Sequence, residues 1–239
     1  MADSIFHFKQ FLIHQDKCAM KVGTDSVLLG SWVDASNTNS ILDIGTGTGL
    51  IAIMLAQKSG AFIEAIDLDE SACIQAGENG KRSPWANRIQ FYHMSLQDFK
   101  NSAGKKYDLI VSNPPYFVDA SKAPEEARNK ARHTDNLSFK ELIDGVKDLL
   151  KQDGRFCMIL PNKEGCDFKE LAQEQGLYCN EQVKIKTKKE KPEKRLLMQF
   201  EFVQKPMQES ELIIQIDDST YTPSYIEFTK EYYVGLKKR

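Results

Sequence analysis

None of the five cysteines, Cys18, Cys73, Cys157, Cys166 and Cys179, stands in a CxxC pair, and their number is odd in a chain of 239 residues. That excludes a disulfide framework and predicts reduced thiols in a cytoplasmic protein. Histidine is equally sparse: His7, His14, His93 and His133 form no HExxH or HxE arrangement, so no metal site is expected. No apolar stretch approaches the roughly 18 residues that cross a bilayer, and the opening MADSIFHFKQF is too polar for a signal peptide. Excess positive charge is missing as well. Thirty-two Lys and Arg face 34 Asp and Glu, a net charge of -2, which excludes a global field that attracts nucleic acid and leaves only local contacts. There is no internal repeat and no low-complexity tract. What is present, 41% hydrophobic and 28% charged residues, fits one globular domain expected to be monomeric and excludes wholesale disorder.

From Ser40 onward, short apolar runs alternate with amphipathic segments: ILDIG before TGLIAIMLAQ, AFIEAID before ESACIQAGEN, then RIQFYHM, YDLIVS, and LSFKELIDGVKDLL before GRFCMIL. Parallel strands covered on both faces read as unbroken apolar runs, so the pattern predicts an α/β fold with a doubly wound, mostly parallel sheet. After Gly176 the runs YCNEQVKIK and RLLMQFEFVQK predict an antiparallel C-terminal hairpin around a charged loop. ELIIQI reads as a further strand, and Thr222-Pro223 as the start of a last helix. Residues 1–39, with Phe6, Phe8, Phe11 and the segment LLGSW, are expected to form a cap packed on the single domain of residues 40–239. Tyr225, Phe228, Tyr232 and Tyr233 follow helical spacing and are expected in the core.

Two motifs carry chemistry. Leu42-Asp43-Ile44-Gly45-Thr46-Gly47-Thr48-Gly49 ends a predicted strand and opens a predicted helix, where glycines let the backbone turn tightly and approach a ligand. Leu50 stands where the dinucleotide pattern GxGxxG requires glycine, so the GxGxG spacing favours a different nucleoside cofactor. About twenty residues on, the strand IEAID ends in Asp67, a carboxylate placed to accept both ribose hydroxyls. The second motif, Asn113-Pro114-Pro115-Tyr116, follows the strand YDLIVS. Adjacent prolines restrict the backbone and preset the asparagine. An exocyclic amine on a conjugated ring is a poor nucleophile because its lone pair is delocalised. If the Asn113 side-chain oxygen and the Pro114 carbonyl each accept one of its hydrogens, the nitrogen moves toward tetrahedral geometry and the lone pair is freed, while Tyr116 stacks on the base.

These residues resemble the class I S-adenosylmethionine-dependent methyltransferases that modify planar amino or amide nitrogens, which implies a Rossmann-like sheet. The flanks FHFKQF (6–11), MKVGTDSVLLGSW (20–32), ARHT (131–134) and YTPSYIEF (221–228) extend the likeness over nearly the whole chain, to the bacterial adenine-N6 methyltransferases that act next to the anticodon, at position 37, of the valine tRNA. The resemblance implies S-adenosylmethionine as cofactor. It carries Gly45, Gly47 and Gly49 to the methionine part, Asp67 to the ribose, Asp43 to the amino group, and Lys21, Thr24 and Asp25 to the cofactor end of the site. Many relatives have an acid after the third strand to meet the adenine amine. This chain reads His93-Met94-Ser95-Leu96-Gln97-Asp98, so either Ser95 fills that place or Asp98 reaches in.

For tRNA contacts, residues 184–195, KIKTKKEKPEKR, hold seven basic and two acidic residues on an otherwise acidic chain. Lys186, Lys188, Lys189 and Lys191 are the candidate phosphate grips, on a loop expected merely to join the last two strands, away from the carboxyl ends where the chemistry lies. Arg128, Lys130, Arg132 and His133 form a second candidate patch near the mouth of the pocket. Other planar NH2 targets use a similar claw: DNA adenine, rRNA guanine N2 and a release-factor glutamine. DNA recognition needs an additional module, and a glutamine enzyme a helical N-terminal domain of about 70 residues, the smallest size for an independent core. Only 39 residues precede the first strand of the predicted sheet. A non-catalytic RNA- or nucleotide-binding module would keep the glycines but has no need of Asn113.

Overall fold

The computed structural model describes residues 5–18, 21–114 and 137–236. A short hairpin, β1 (Ile5–His7) and β2 (Leu12–His14), precedes α1 (Thr24–Trp32). Then follow β3 (Ser40–Ile44), α2 (Leu50–Lys58), β4 (Phe62–Asp67), α3 (Glu70–Arg82), β5 (Ile89–His93), α4 (Leu96–Ser102) and β6 (Tyr107–Ser112). The described chain resumes with α5 (Phe139–Leu149), β7 (Leu150–Pro161), α6 (Asn162–Glu174), β8 (Tyr178–Lys186), β9 (Glu193–Glu201), β10 (Gln208–Ile213) and α7 (Pro223–Thr229). Local signals explain several starts. Ser138 and Glu141 close a capping box at α5, and the Thr222 hydroxyl caps α7 with Pro223 in its first turn.

One eight-stranded sheet runs in the order β10-β8-β9-β7-β6-β3-β4-β5. The strands from β5 to β7 are parallel, β9 is antiparallel to both β7 and β8, and β10 lies parallel to β8. The sheet is Rossmann-like, with the predicted C-terminal hairpin formed by β8 and β9. Alternation along each strand divides the core. Ile41, Leu109, Val111 and Ile159 face α1, α2 and α7, whereas Leu42, Ile110, Met158 and Leu160 face α4, α5 and α6.

Helix α2 is buried along all of Leu50–Ala56, because the sheet covers one side and the N-terminal segment with α1 covers the other. Gly30 permits that approach: a Cβ there would lie 2.6 Å from the Met54 sulfur. Phe8 and Phe11 stack at 4.7 Å, and Tyr225 and Tyr232 join the same core, with the Tyr232 hydroxyl donating to the Met54 carbonyl at 3.0 Å. Phe228 and Tyr233 pack against them.

The sequence pattern did not anticipate α4, seven residues capped by Ser95. The tail strand also differs. It begins at Gln208, ahead of ELIIQI, and forms a parallel edge on β8, so β8 and β9 are not the last two strands.

Candidate functional site

Strand β3 has β4 on one side and β6 on the other, so the order of the sheet reverses between β3 and β6. Open α/β sheets bind ligands at the carboxyl ends of the strands flanking such a switch point. Here Ile44 pairs with Ser112, so Gly45 and Asn113 leave neighbouring strands side by side. The Ser112 hydroxyl donates to the Ile44 carbonyl at 2.9 Å and locks the two ends together.

Gly45, Gly47 and Gly49 adopt φ of 72°, 55° and 81°, but they are required for different reasons. At Gly49 a Cβ would stand 3.1 Å from Phe91 and 3.2 Å from Ala76, a packing constraint. At Gly45 and Gly47 a Cβ would meet nothing within 4 Å, so there the left-handed backbone borders open space and forms a cradle. The Gly45 and Thr46 amides both donate to the Ile66 carbonyl, at 2.9 and 3.0 Å, which ties the turn to the end of β4.

That tie sets Asp67. One carboxylate oxygen accepts from the Gly47 amide at 2.7 Å and the other from the Asp69 amide at 2.9 Å. Asp69 itself caps α3 through Ser71 and Ala72. Asp43 is fully buried beneath the turn. Its Oδ2 accepts from the Thr46 hydroxyl at 2.7 Å and the Ala52 amide also favours the charged form, while its buried Oδ1 makes no hydrogen bond of full geometry among the described residues. Burial pushes its pKa up to about 7, against the Thr46 hydrogen bond, and the neighbouring Asp67 adds to the rise.

Asn113, half-buried, donates from Nδ2 to the Ser26 hydroxyl at 2.9 Å, and Pro114 behind it is buried. Ser26 lies in the first turn of α1. Its neighbour Asp25 accepts from Arg195 Nε at 2.8 Å, whereas Thr24 and Lys21 are exposed. Ser95 and Asp98 hold each other: the Ser95 hydroxyl donates to Asp98 Oδ2 at 2.6 Å and accepts from the Asp98 amide at 3.0 Å. Tyr116, Arg128, Lys130, Arg132 and His133 lie outside the described residues.

The basic run departs from expectation in two respects. Since β8 is antiparallel to β9 and β9 to β7, β8 points the same way as the parallel strands. Its end at Lys186 and the start of β9 at Glu193 therefore sit on the edge of the sheet that carries Gly45 and Asn113, not away from it. Much of the charge is also neutralised. Lys184 pairs with Glu209 at 2.7 Å, Lys186 with Glu211 at 2.5 Å and Lys188 with Asp218 at 2.6 Å; these carboxylates raise all three lysine pKa values. Lys189 and Lys191 are exposed, with no ion-pair partner among the described residues.

The methyltransferase small domain matches residues 18–188. The chain belongs to this methyltransferase family. It is 46% identical over 240 residues to the tRNA1(Val) (adenine(37)-N6)-methyltransferase of Bacteroides fragilis, an alignment that covers 99% of this chain and all of that protein. Among solved structures it resembles a predicted O-methyltransferase from Agrobacterium tumefaciens, with a TM-score of 0.67 and 16% identity over 87% of this chain and 96% of that one. M. jannaschii TYW2 in complex with AdoMet aligns with a TM-score of 0.57 and 18% identity over 83% of this chain and 86% of that one.

Within this methyltransferase, the described structure brings Asp43, the glycine turn, Asp67, Asn113 and Pro114 to one edge. It adds residues that motif reading missed. Asn79 accepts from the His14 amide and donates to the carbonyls of His14 and Thr48, all at 2.9 Å, pinning the N-terminal hairpin to the glycine turn. The signal was a polar pair, Gln75 and Asn79, one turn apart on an otherwise apolar face of α3. Leu68 is 47% exposed directly after Asp67, an apolar surface at the rim of the site. Ser26 and Arg195 lie inside segments the sequence singles out, MKVGTDSVLLGSW and the basic run 184–195, but nothing along the chain marks their contacts with Asn113 and Asp25. Among the described residues no group of three potential metal ligands occurs, and no helix is long and apolar enough to cross a membrane.

Proposed function

We infer that the protein transfers the methyl group of S-adenosylmethionine to the exocyclic N6 amine of the adenine at position 37 of the valine tRNA. The observation that carries this reading is the pairing of Ile44 with Ser112, which sets a cofactor-type glycine turn beside Asn113, in a chain alike over its full length to a protein named for that reaction. The open cradle at Gly45 and Gly47 and the buried Oδ1 of Asp43, which makes no hydrogen bond of full geometry among the described residues, fit this cofactor, since its ammonium group is a donor for a carboxylate oxygen.

When bound, the cofactor supplies an electrophilic methyl group on a sulfonium. Asp67, aligned by two backbone amides, retains lone pairs for the ribose hydroxyls, and Leu68 offers a surface for the adenine ring. Between Ser95 and Asp98, Asp98 is the better acceptor for the adenine amine: the neutral Ser95 oxygen already accepts from the Asp98 amide, whereas the Asp98 carboxylate keeps a second oxygen. Asn113 holds the target amine. With Nδ2 turned to Ser26, its Oδ1 is left to accept one amine hydrogen and the Pro114 carbonyl the other, which localises the nitrogen lone pair and aims it at the methyl carbon. Tyr116 stacks on the extruded base. Lys189 and Lys191, on the same edge, grip tRNA phosphates, with Arg128, Lys130, Arg132 and His133 as the second contact. With tRNA as substrate, we assign the protein to the cytoplasm, acting as a monomer.

Incubation of the pure protein and labelled S-adenosylmethionine with tRNA from a strain lacking this gene tests the reading. Labelled N6-methyladenosine at position 37 is expected. Label in guanine or in a protein glutamine, or no label in any tRNA, overturns it.

A further inference from the structure

The reaction asks Asn113 for one specific orientation. An exocyclic amine brings hydrogens, so the amide must present its oxygen to the substrate; turned by 180° about Cβ–Cγ it would present an NH2 group, donor against donor. A correctly turned amide then needs an acceptor for its own NH2 on the far side, because a half-buried donor without one favours the reversed or a disordered orientation. The described structure supplies that acceptor from a part of the chain 87 residues away, the Ser26 hydroxyl, at 2.9 Å from Nδ2.

Ser26 is itself held in place. It occupies the first turn of α1, whose preceding residue Asp25 is clamped by Arg195 at 2.8 Å in a pair only 18% and 20% exposed. Arg195 pairs in the sheet with Pro161, the last residue of β7. The carboxyl edge of the sheet therefore fixes the helix turn, and the helix turn faces Asn113. Directly after Ser26, in the middle of the helix, Val27, Leu28 and Leu29 are buried in the core shared with α2, which restrains the turn.

We propose that Ser26 is a positioning residue of the methyl transfer: its hydroxyl accepts from the Asn113 NH2 and steadies the amide, while the hydrogens of the substrate amine call for the oxygen on the other side, and the Arg195–Asp25 pair anchors the turn that carries Ser26. The inference rests on the adenine-N6 reading, and its test is arranged so that the two fail separately. No bond to Ser26 forms or breaks; it acts through Asn113 alone.

A double-mutant cycle reads this directly. Ser26→Ala is expected to lower kcat about 10-fold, the usual effect of removing one neutral hydrogen bond from a positioned group, with the S-adenosylmethionine Kd and Tm nearly unchanged. Ser26→Thr, which retains the hydroxyl, should recover most of kcat. In an Asn113→Ala background the Ser26→Ala change should have no further effect, since the amide it positions is gone. Loss of a further 10-fold in that background, or failure of Ser26→Thr to recover activity while Tm is unchanged, overturns the proposal. If Ser26→Ala lowers Tm, Arg195→Lys supplies the second arm: it keeps the charge but loses the Nε contact, and should lower kcat without weakening cofactor binding. An unchanged kcat there overturns the anchoring role. A wild-type protein that forms no N6-methyladenosine defeats the adenine-N6 reading instead, before any variant is compared.

Discussion

Asp67 and Asp69 stand two residues apart and face different groups. Asp67 is held by the glycine turn, whereas the Asp69 side chain caps α3. Asp67→Ala should therefore weaken S-adenosylmethionine binding by about 1.5–3 kcal/mol for each charged hydrogen bond lost, by calorimetry. Asp69→Ala should bind normally and lose only about 0.5–2 kcal/mol of stability. Asn113→Ala has the opposite profile. Its kcat should fall about 100- to 1000-fold with cofactor affinity retained, because in the proposed mechanism the side chain meets the acceptor amine and not the donor. Asp43 gives a pH signature. With a folded pKa of about 7 against an unfolded value of 3.8, the carboxyl is protonated in the cofactor-free protein below neutrality; its contribution to stability is full below pH 3.8 and is lost as pH rises through 7. An arriving ammonium favours the carboxylate, so binding at pH 6.5 should release a proton and tighten as pH rises. Calorimetry in buffers of different ionisation enthalpy measures this, and Asp43→Asn should show neither effect.

At the scale of elements, the β8–β9 loop is the informative case. Seven cations in twelve residues suggest a strong phosphate grip, but β10 and the turn after it supply Glu209, Glu211 and Asp218 to three of them. Replacing only Lys189 and Lys191 with Ala should flatten the slope of log tRNA affinity against log salt by up to about 0.9 per lost duplex phosphate contact. The same change at Lys184 and Lys186 should mainly loosen the β8–β10 edge. Because the loop shares an edge with Asn113, its loss is also expected to alter kcat, where a remote loop would affect binding alone. At the opposite edge, Asp108 joins the starts of β3 and β6 by accepting from the Asn39 and Ser40 amides, the Ser40 hydroxyl and Lys151. Burial alone would raise its pKa, yet these donors hold it at about 2. Its stabilisation is complete above pH 3.8 and is lost as pH falls through 2. Asp108→Asn should cost about 1.5–3 kcal/mol in urea unfolding at pH 7, and the gap to the wild type should narrow below pH 4.

For the whole molecule, local chemistry made much of the fold legible. The glycine turn, the apolar strands, the Ser138 capping box and the Thr222-Pro223 start all act within a few residues, so they can be read from the chain without its partners. The seven-residue α4 was too short to show a period, although Ser95 and Asp98 carry its cap. The sequence by itself determined the α/β class, the glycine turn after β3, the acid at the end of β4 and the place of Asn113 after β6, because each depends on backbone conformation or side-chain chemistry at neighbouring positions. Only the tertiary structure decided which strand ends are neighbours, that Ser26 faces Asn113 across 87 residues, and which edge of the sheet bears the basic loop. Strand order and direction are set by the burial of two sheet faces at once. A count of charges along the chain cannot reveal that carboxylates 25 and 30 residues beyond Lys184 and Lys188 fold back to neutralise them.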